Sequence, residues 1–319
     1  MIRFIIRRIL LGVVVLWVIT TLVFVMFFVA PHNVARTLAG RQATPQTVAL
    51  VRHRLGLDQP VLHQYVDYLR GLLHGDLGYS FINSSPVREL IWQRVPVSFS
   101  LAIGAAVIWL LLGVSSGVLS AVLPRTFVDR SVTALALFFY SMPAFLLGVL
   151  LFYFLFYRLH LAGIPLFPGS GYVALTSNPL EWARHLLLAW FTIALVFAAT
   201  YTRLTRSSML DVLGEDYIRT ARAKGLRERR VVYRHALRSA LTPVVTQFGI
   251  DLGTLLGGVI IVERIFGLPG VGDLAIQSVI SQDLPVIIGT VILASTCVVV
   301  ANILVDITYA LLDARVRVN

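Results

Sequence analysis

The chain has 319 residues, of which 57% are hydrophobic and only 13% charged, about half the charged share of a soluble domain. Arginine supplies 26 of its 27 basic residues and most of the net charge of +11. These arginines gather near the ends of apolar runs, a distribution that orients a membrane protein and excludes a nucleic-acid binder.

Six apolar segments predict an all-α integral membrane protein: Ile9–Ala30, Val97–Leu123, Val132–Tyr157, Leu186–Tyr201, Ala240–Val262 and Pro285–Leu312. A helix rises about 1.5 Å per residue, so about 20 residues cross a hydrocarbon core of about 30 Å. The fourth segment has 16 residues and needs the turn from Glu181 to complete its span, with Arg184 snorkelling outward. Arg3, Arg7 and Arg8 precede the first segment as in a signal peptide. Its apolar stretch is longer than such a peptide requires, and Pro31 spoils the cleavage region, so an uncleaved anchor is expected. Inner segments hold Arg3, Arg7 and Arg8, then Arg125 and Arg130, ten basic residues from Arg203 to Arg238, and Arg315 and Arg317. Both termini are therefore expected in the cytoplasm. The organisation that follows is a first span over 1–30, an external helical subdomain over 31–96, and a five-helix core over 97–319 with a cytoplasmic loop at 202–239.

In the external subdomain, Thr44 and Pro45 read as N-cap and first helical residue, with Gly56 as the stop. A second helix is expected from Pro60 to His74, with Val61, Leu62, Tyr65, Val66, Leu69 and Leu73 along one face. A third is expected to start at Ser85–Pro86. Two roles fit this subdomain equally: a cover over the bundle, or a docking platform for an external partner. His53, His63 and His74 on it read as solvated histidines, and no metal set is assigned.

The cytoplasmic loop is too long for a simple turn. Glu215 and Asp216 place negative charge at a helix start, Tyr217, Ile218 and Ala221 form a short apolar face, and Gly225 breaks the helix. A basic stretch from Arg227 to Ala240 then runs into the fifth span. Small residues at Ala221, Ala223 and Gly225 let a partner approach closely. A basic hairpin resting on anionic lipid is the competing reading.

Asp251 lies midway along the fifth span near Gln247. A carboxylate there costs about 3 kcal/mol, so it faces protein or water, either as a translocation-path residue or as a structural hydrogen-bond partner. Gly249, Gly253 and Gly257 share one helical face, which reads as a packing seam with another chain or within this one, with pore lining as the second reading. Pro143 is expected to kink the third span. Asp306 near the end is expected to be neutralised by Arg315 or Arg317. Cys297, the single cysteine, reads as a small packing residue.

The stretch Tyr217-Ile218-Arg219-Thr220-Ala221-Arg222-Ala223-Lys224-Gly225, continued by Leu226, resembles the cytoplasmic signature of permease subunits of bacterial binding-protein-dependent ABC importers, within the dipeptide/oligopeptide/nickel branch. The family pattern is Glu-Ala-Ala, three residues, then Gly; here Arg219-Thr220-Ala221 fill the first three places. Leu55-Gly56-Leu57-Asp58-Gln59-Pro60, Gly75-Asp76-Leu77-Gly78, Ser141-Met142-Pro143-Ala144, Val262-Glu263-Arg264-Ile265-Phe266-Gly267-Leu268-Pro269-Gly270 and the ending from Leu304 to Arg317 resemble the same family. Pro31-His32-Asn33-Val34 departs from its Pro-Gly-Asp-Pro turn.

The resemblance implies a second related permease, two ATPase subunits carrying ATP and Mg, an external solute-binding protein, and a loop helix seated on an ATPase. It implies peptides as cargo, with nickel or another small solute as alternatives. The chain contains no G-x-x-x-x-G-K-[ST] phosphate loop: its one lysine, Lys224, precedes Gly225, so any ATP hydrolysis belongs to another chain. No catalytic constellation is read, and no cofactor is expected in this chain. A stand-alone secondary transporter or channel is the rival, but it leaves the 215–240 loop unexplained.

Overall fold

A computed structural model describes residues 2–29, 44–54, 58–80 and 82–312. Pro31–Val34, Leu55–Leu57, Arg315 and Arg317 fall outside them. Almost everything described is helical. Helix α1 (Ile2–Phe24) closes in a π turn, Val25–Val29, and is followed by α2 (Pro45–Arg54) and α3 (Val61–Leu73). A two-residue antiparallel hairpin, β1 (Tyr79–Ser80) with β2 (Ser85–Pro86), leads into α4 (Val87–Val122). Then come α5 (Phe127–Ser141), α6 (Ala144–Leu151), α7 (Pro179–Leu213), α8 (Asp216–Ala223), α9 (Leu237–Gly258), α10 (Ile260–Phe266), α11 (Val271–Ser281) and α12 (Leu284–Leu312).

Among the described residues, five helical segments are long and apolar enough to cross a membrane: Ile5–Val29, Val87–Val122, Ala144–Leu161, Pro179–Leu213 and Leu284–Ile307. Two expected spans take another form. The third is divided at Met142, which is extended (φ −87°, ψ 128°), with Pro143 as the N-cap of α6. A residue before proline is pushed out of the helical region, so the chain breaks where a kink was expected. The fifth is α9 followed by α10, and its polar Gln247 and Asp251 make it less apolar than the others.

Proline acts differently at position 96. The expected third external helix and the second span are one helix of 36 residues with Pro96 inside it. Proline removes one backbone donor, but the helix is packed on both sides of it. Val87 and Ile91 pack with Leu274 and Val286, while Val97 and Leu101 are buried just beyond. The orientation of α3 also differs from expectation. Tyr65 and Leu69 are half-buried, whereas Val61, Leu62, Val66 and Leu73 are exposed.

The chain divides into two compact units. The first comprises residues 1–98 and 269–303. There the hairpin is tied to the start of α12: buried Asp283 accepts hydrogen bonds from the Ser80 hydroxyl and from Asn83 Nδ2. Arg94 lies 3.6 Å from Asp273. The second unit comprises residues 99–268 and 304–319, and its α4–α7 pair is unusually close. The ring of Trp190 fills the space that a Cβ at Gly104 would need, and α7 backbone and side chains crowd Gly113 and Gly117. Ser116 and Thr202 share a hydrogen bond of 2.7 Å across this seam.

Candidate functional site

The loop signature folds into α8. Glu215 is its N-cap residue and Lys224 its C-cap residue. Gly225 follows with φ +74°, the left-handed conformation that ends helices and suits glycine. An eight-residue helix is too short to persist alone, so packing must hold it. Ile218 is fully buried and Ala221 nearly so. They sit in one apolar cluster with Val118 and Ala121 of α4, Met209 of α7, Val231, Val232 and Ala236 of the π-helical turn Val231–Ala236 that precedes α9, and Ala240 of α9. Leu226 packs against the same cluster. The helix is thus pinned to the ends of three long helices at once.

Its other face is open. Glu215, Asp216, Ala223, Lys224 and Gly225 are exposed, and so is Tyr217, whose hydroxyl lies 3.1 Å from Ser239 Oγ. Two ion pairs tidy the surface: Arg219 to Asp216 at 3.3 Å and Arg222 to Glu228 at 2.7 Å. Ala221, expected to admit a partner, turns inward with Ile218, whereas Ala223 faces out.

Beside the cluster lies a polar clamp that the sequence reading did not single out. The Asp129 carboxylate accepts from Arg206 Nε (2.8 Å) and Nη2 (2.9 Å), from the Arg125 amide (2.8 Å) and from the Ser120 hydroxyl. These bonds, the Arg206 pair foremost, hold the Asp129 carboxyl well below the usual carboxylate range. The clamp joins the end of α4, the start of α5 and the C-terminal quarter of α7. In sequence, Arg125 and Arg130 register only as orienting charges. The available signal was Thr126 followed by Asp129, an N-cap pattern, whose cap bond is present at 3.4 Å.

Asp251 is buried within the second unit. Tyr201 Oη donates to its Oδ2 at 2.9 Å, and Gln247 Nε2 donates to its Oδ1 at 2.9 Å. Trp109 stacks on Phe197 and tilts against Tyr201 and Phe248, making an aromatic wall beside this pair. The polar position on α9 is therefore bonded to α7. On the expected seam, Gly249 meets Val305 of α12, which leaves no room for a Cβ. Gly253 and Gly257 lie on the same helix, and their surroundings fall outside the described residues. A second small-residue seam, Gly113 and Gly117 on α4, is not part of that expectation although its four-residue spacing is visible in the sequence.

The family described as the inner membrane component of binding-protein-dependent transport systems matches residues 110–318, and its N-terminal companion matches residues 1–102. The chain belongs to this family. It is the permease component of an ABC importer, a multi-pass protein of the inner membrane. A putative peptide transport system permease of Brucella abortus is 40% identical over 315 residues, covering 98% of each chain. The glutathione transport system permease GsiC of Escherichia coli is 38% identical over 317 residues, covering 99% of each. In fold, the permease is similar to a chain of the MetNI methionine ABC transporter. The TM-score is 0.56 at 20% identity, covering 70% of this chain and 96% of that one.

Proposed function

We propose that this permease pairs with a second related permease to form a path for peptides, which an external solute-binding protein delivers and two ATPase subunits drive. ATP and Mg act on those partners. In this reading the chain crosses the membrane six times, with α9 and α10 together as the fifth span, and both termini are cytoplasmic. Helix α8 then lies on the cytoplasmic side and seats on an ATPase.

One observation carries the coupling role: α8 is buried by Ile218 and Ala221 and open along Glu215, Asp216, Tyr217, Ala223 and Lys224. A short helix anchored to three long ones transmits a push from its open face to α4, α7 and α9 together, as a rigid-body switch requires. Peptide cargo is supported by relatives named for peptide and glutathione transport. Asp251 and Gln247 are the polar element of α9 closest in character to a path lining. A mid-span carboxylate, costing about 3 kcal/mol to insert, would meet a peptide ammonium group there.

The test is gentle purification of the tagged permease from its native membrane, with ATP hydrolysis measured on whatever accompanies it. Vanadate-sensitive hydrolysis, raised by peptide together with a binding protein, is expected. A solitary chain that drives ion-coupled uptake in vesicles would overturn the proposal.

A further inference from the structure

Helix α3 has three distinct faces where two would suffice. It packs on the far end of α1: Tyr65 Oη and Thr21 Oγ1 share a hydrogen bond of 2.6 Å. Phe24 lies 5.2 Å from the Tyr65 ring and 5.5 Å from the Tyr68 ring, and Phe28 lies 5.6 Å from Tyr68. The packed face consists of Gln64, Tyr65, Tyr68, Leu69, Gly71 and Leu72, all half-buried. At 3.6 residues per turn, the exposed residues from Leu62 onward sort by chemistry, with Val61 of the first turn, 53% exposed, lying outside both arcs. Leu62, Val66 and Leu73, respectively 71%, 46% and 87% exposed, fall within an arc of about 40°. His63, Asp67, Arg70 and His74, also exposed, fill the next arc of about 60°.

Water would not select an apolar stripe beside a polar one on the same open surface. Depth explains it. The apolar stretch of α1 runs to Val29, and a helix of about 20 residues uses up the hydrocarbon thickness. Thr21, Phe24 and Phe28 therefore lie in its last two and a half turns, toward the membrane boundary. An element packed on them sits at that same depth, where tyrosines such as Tyr65 and Tyr68 are favoured. On α1 itself the residues flanking the contact, Leu22, Val25, Met26 and Val29, are all apolar and exposed. The stripe on α3 thus continues a surface already made for lipid.

The geometry points to α3 as an interfacial helix. Leu62, Val66 and Leu73 are buried in the acyl boundary of the bilayer, His63, Asp67 and His74 face water, and Arg70 at the border reaches lipid phosphate. An amphipathic helix lying in the interface plane has this division. The occupant of the stripe is lipid of the leaflet at the far end of α1, the outer leaflet in the orientation proposed above. The segment between the first two spans is thereby held to the membrane surface.

The assembled importer in phospholipid nanodiscs tests this. In a Cys297→Ser background, a nitroxide is placed by Leu62→Cys, Val66→Cys or Leu73→Cys, and in separate samples by His63→Cys or Asp67→Cys. Collision with oxygen, which partitions into lipid, is compared with collision with a water-soluble nickel chelate. The first three sites are expected to favour oxygen several-fold over the last two. Equal accessibility to the nickel chelate at all five sites would overturn the inference, because the stripe would then face water. Exclusion of both reagents at Leu62, Val66 and Leu73 would also overturn it, because a protein partner would then cover the stripe. Neither result bears on whether α8 seats on an ATPase.

Discussion

Ile218→Ala removes three carbons from a side chain with no exposed surface, at the centre of the cluster that pins α8. At about 0.8 kcal/mol per buried carbon the transfer loss alone is about 2.4 kcal/mol. Residual cavity brings large-to-small changes of this kind into the range of about 2–5 kcal/mol. Only Ala221 and Leu226 would then hold the signature segment to the cluster, and the helix has no independent stability to fall back on. A loss of about 3 kcal/mol lowers the docked population about a hundredfold relative to the undocked one. The longer helices keep their own contacts, including the α4–α7 seam, so membrane insertion is expected to persist. In proteoliposomes holding the whole importer, the ratio of peptide taken up to ATP hydrolysed is expected to fall at least tenfold. Ile218→Val costs about 0.5–1.5 kcal/mol and is expected to keep most of the coupling. An Ile218→Ala importer with a normal uptake-to-hydrolysis ratio would refute the idea that the buried face of α8 carries force.

Gly225→Ala and Gly225→Trp both place a side chain at φ +74°, where nothing lies within 4 Å of a Cβ, at a strain of about 1–2 kcal/mol. Both are expected to fold and insert. Tryptophan alone is expected to abolish uptake by blocking the partner surface, so equal uptake in the two variants would count against docking there. Ala223→Cys in a Cys297→Ser background is expected to crosslink to an ATPase subunit, whereas labelling by a lipid-phase probe would favour a hairpin lying on lipid. Asp251→Ala is expected to lower uptake tenfold or more while the complex still assembles; lost assembly with proportionate uptake would make the carboxylate structural. The depressed Asp129 carboxyl stabilises the clamp above the usual carboxylate range, and that contribution is lost progressively as pH falls from that range through its lowered value. Detergent melting curves of wild type and Asp129→Asn should therefore differ by a constant amount between pH 5 and 8. A gap that closes within that interval would show that Asp129 is not held as described.

How much of this was legible in sequence depends on whether the signal is local. Apolar length marks α1, α4 and α12, and Thr44, Pro45, Pro60 and Gly225 punctuate helices where the structure places them, because caps and breakers act within a few residues. Proline is less decisive alone. Pro143 ends a helix and Pro96 does not, and the difference lies in neighbours nearly two hundred positions away, Leu274 and Val286, that hold the first turns of α4. The face of α3 was misread for a similar reason. In a membrane chain apolar surface has two possible partners, and of the expected face only Tyr65 and Leu69 share the half-buried side that meets Phe24.

The same principle separates the two halves of the signature. Sequence groups Ala221, Ala223 and Gly225 as small residues open to a partner. Folding divides them, because Ala221 lies three residues after Ile218 on the buried side, while Ala223 and Gly225 do not. Small size at Ala221 thus serves the chain's own packing, and small size at Ala223 and Gly225 leaves the outer surface low. The Asp129–Arg206 clamp adjoins this arrangement along the chain: Ser120 lies between Val118 and Ala121, and Arg206 one turn before Met209, three of the residues that receive Ile218. The force-relaying role proposed for α8 requires a stiff backing of this kind. The backing is built from residues 77 positions apart, beyond the reach of any local pattern.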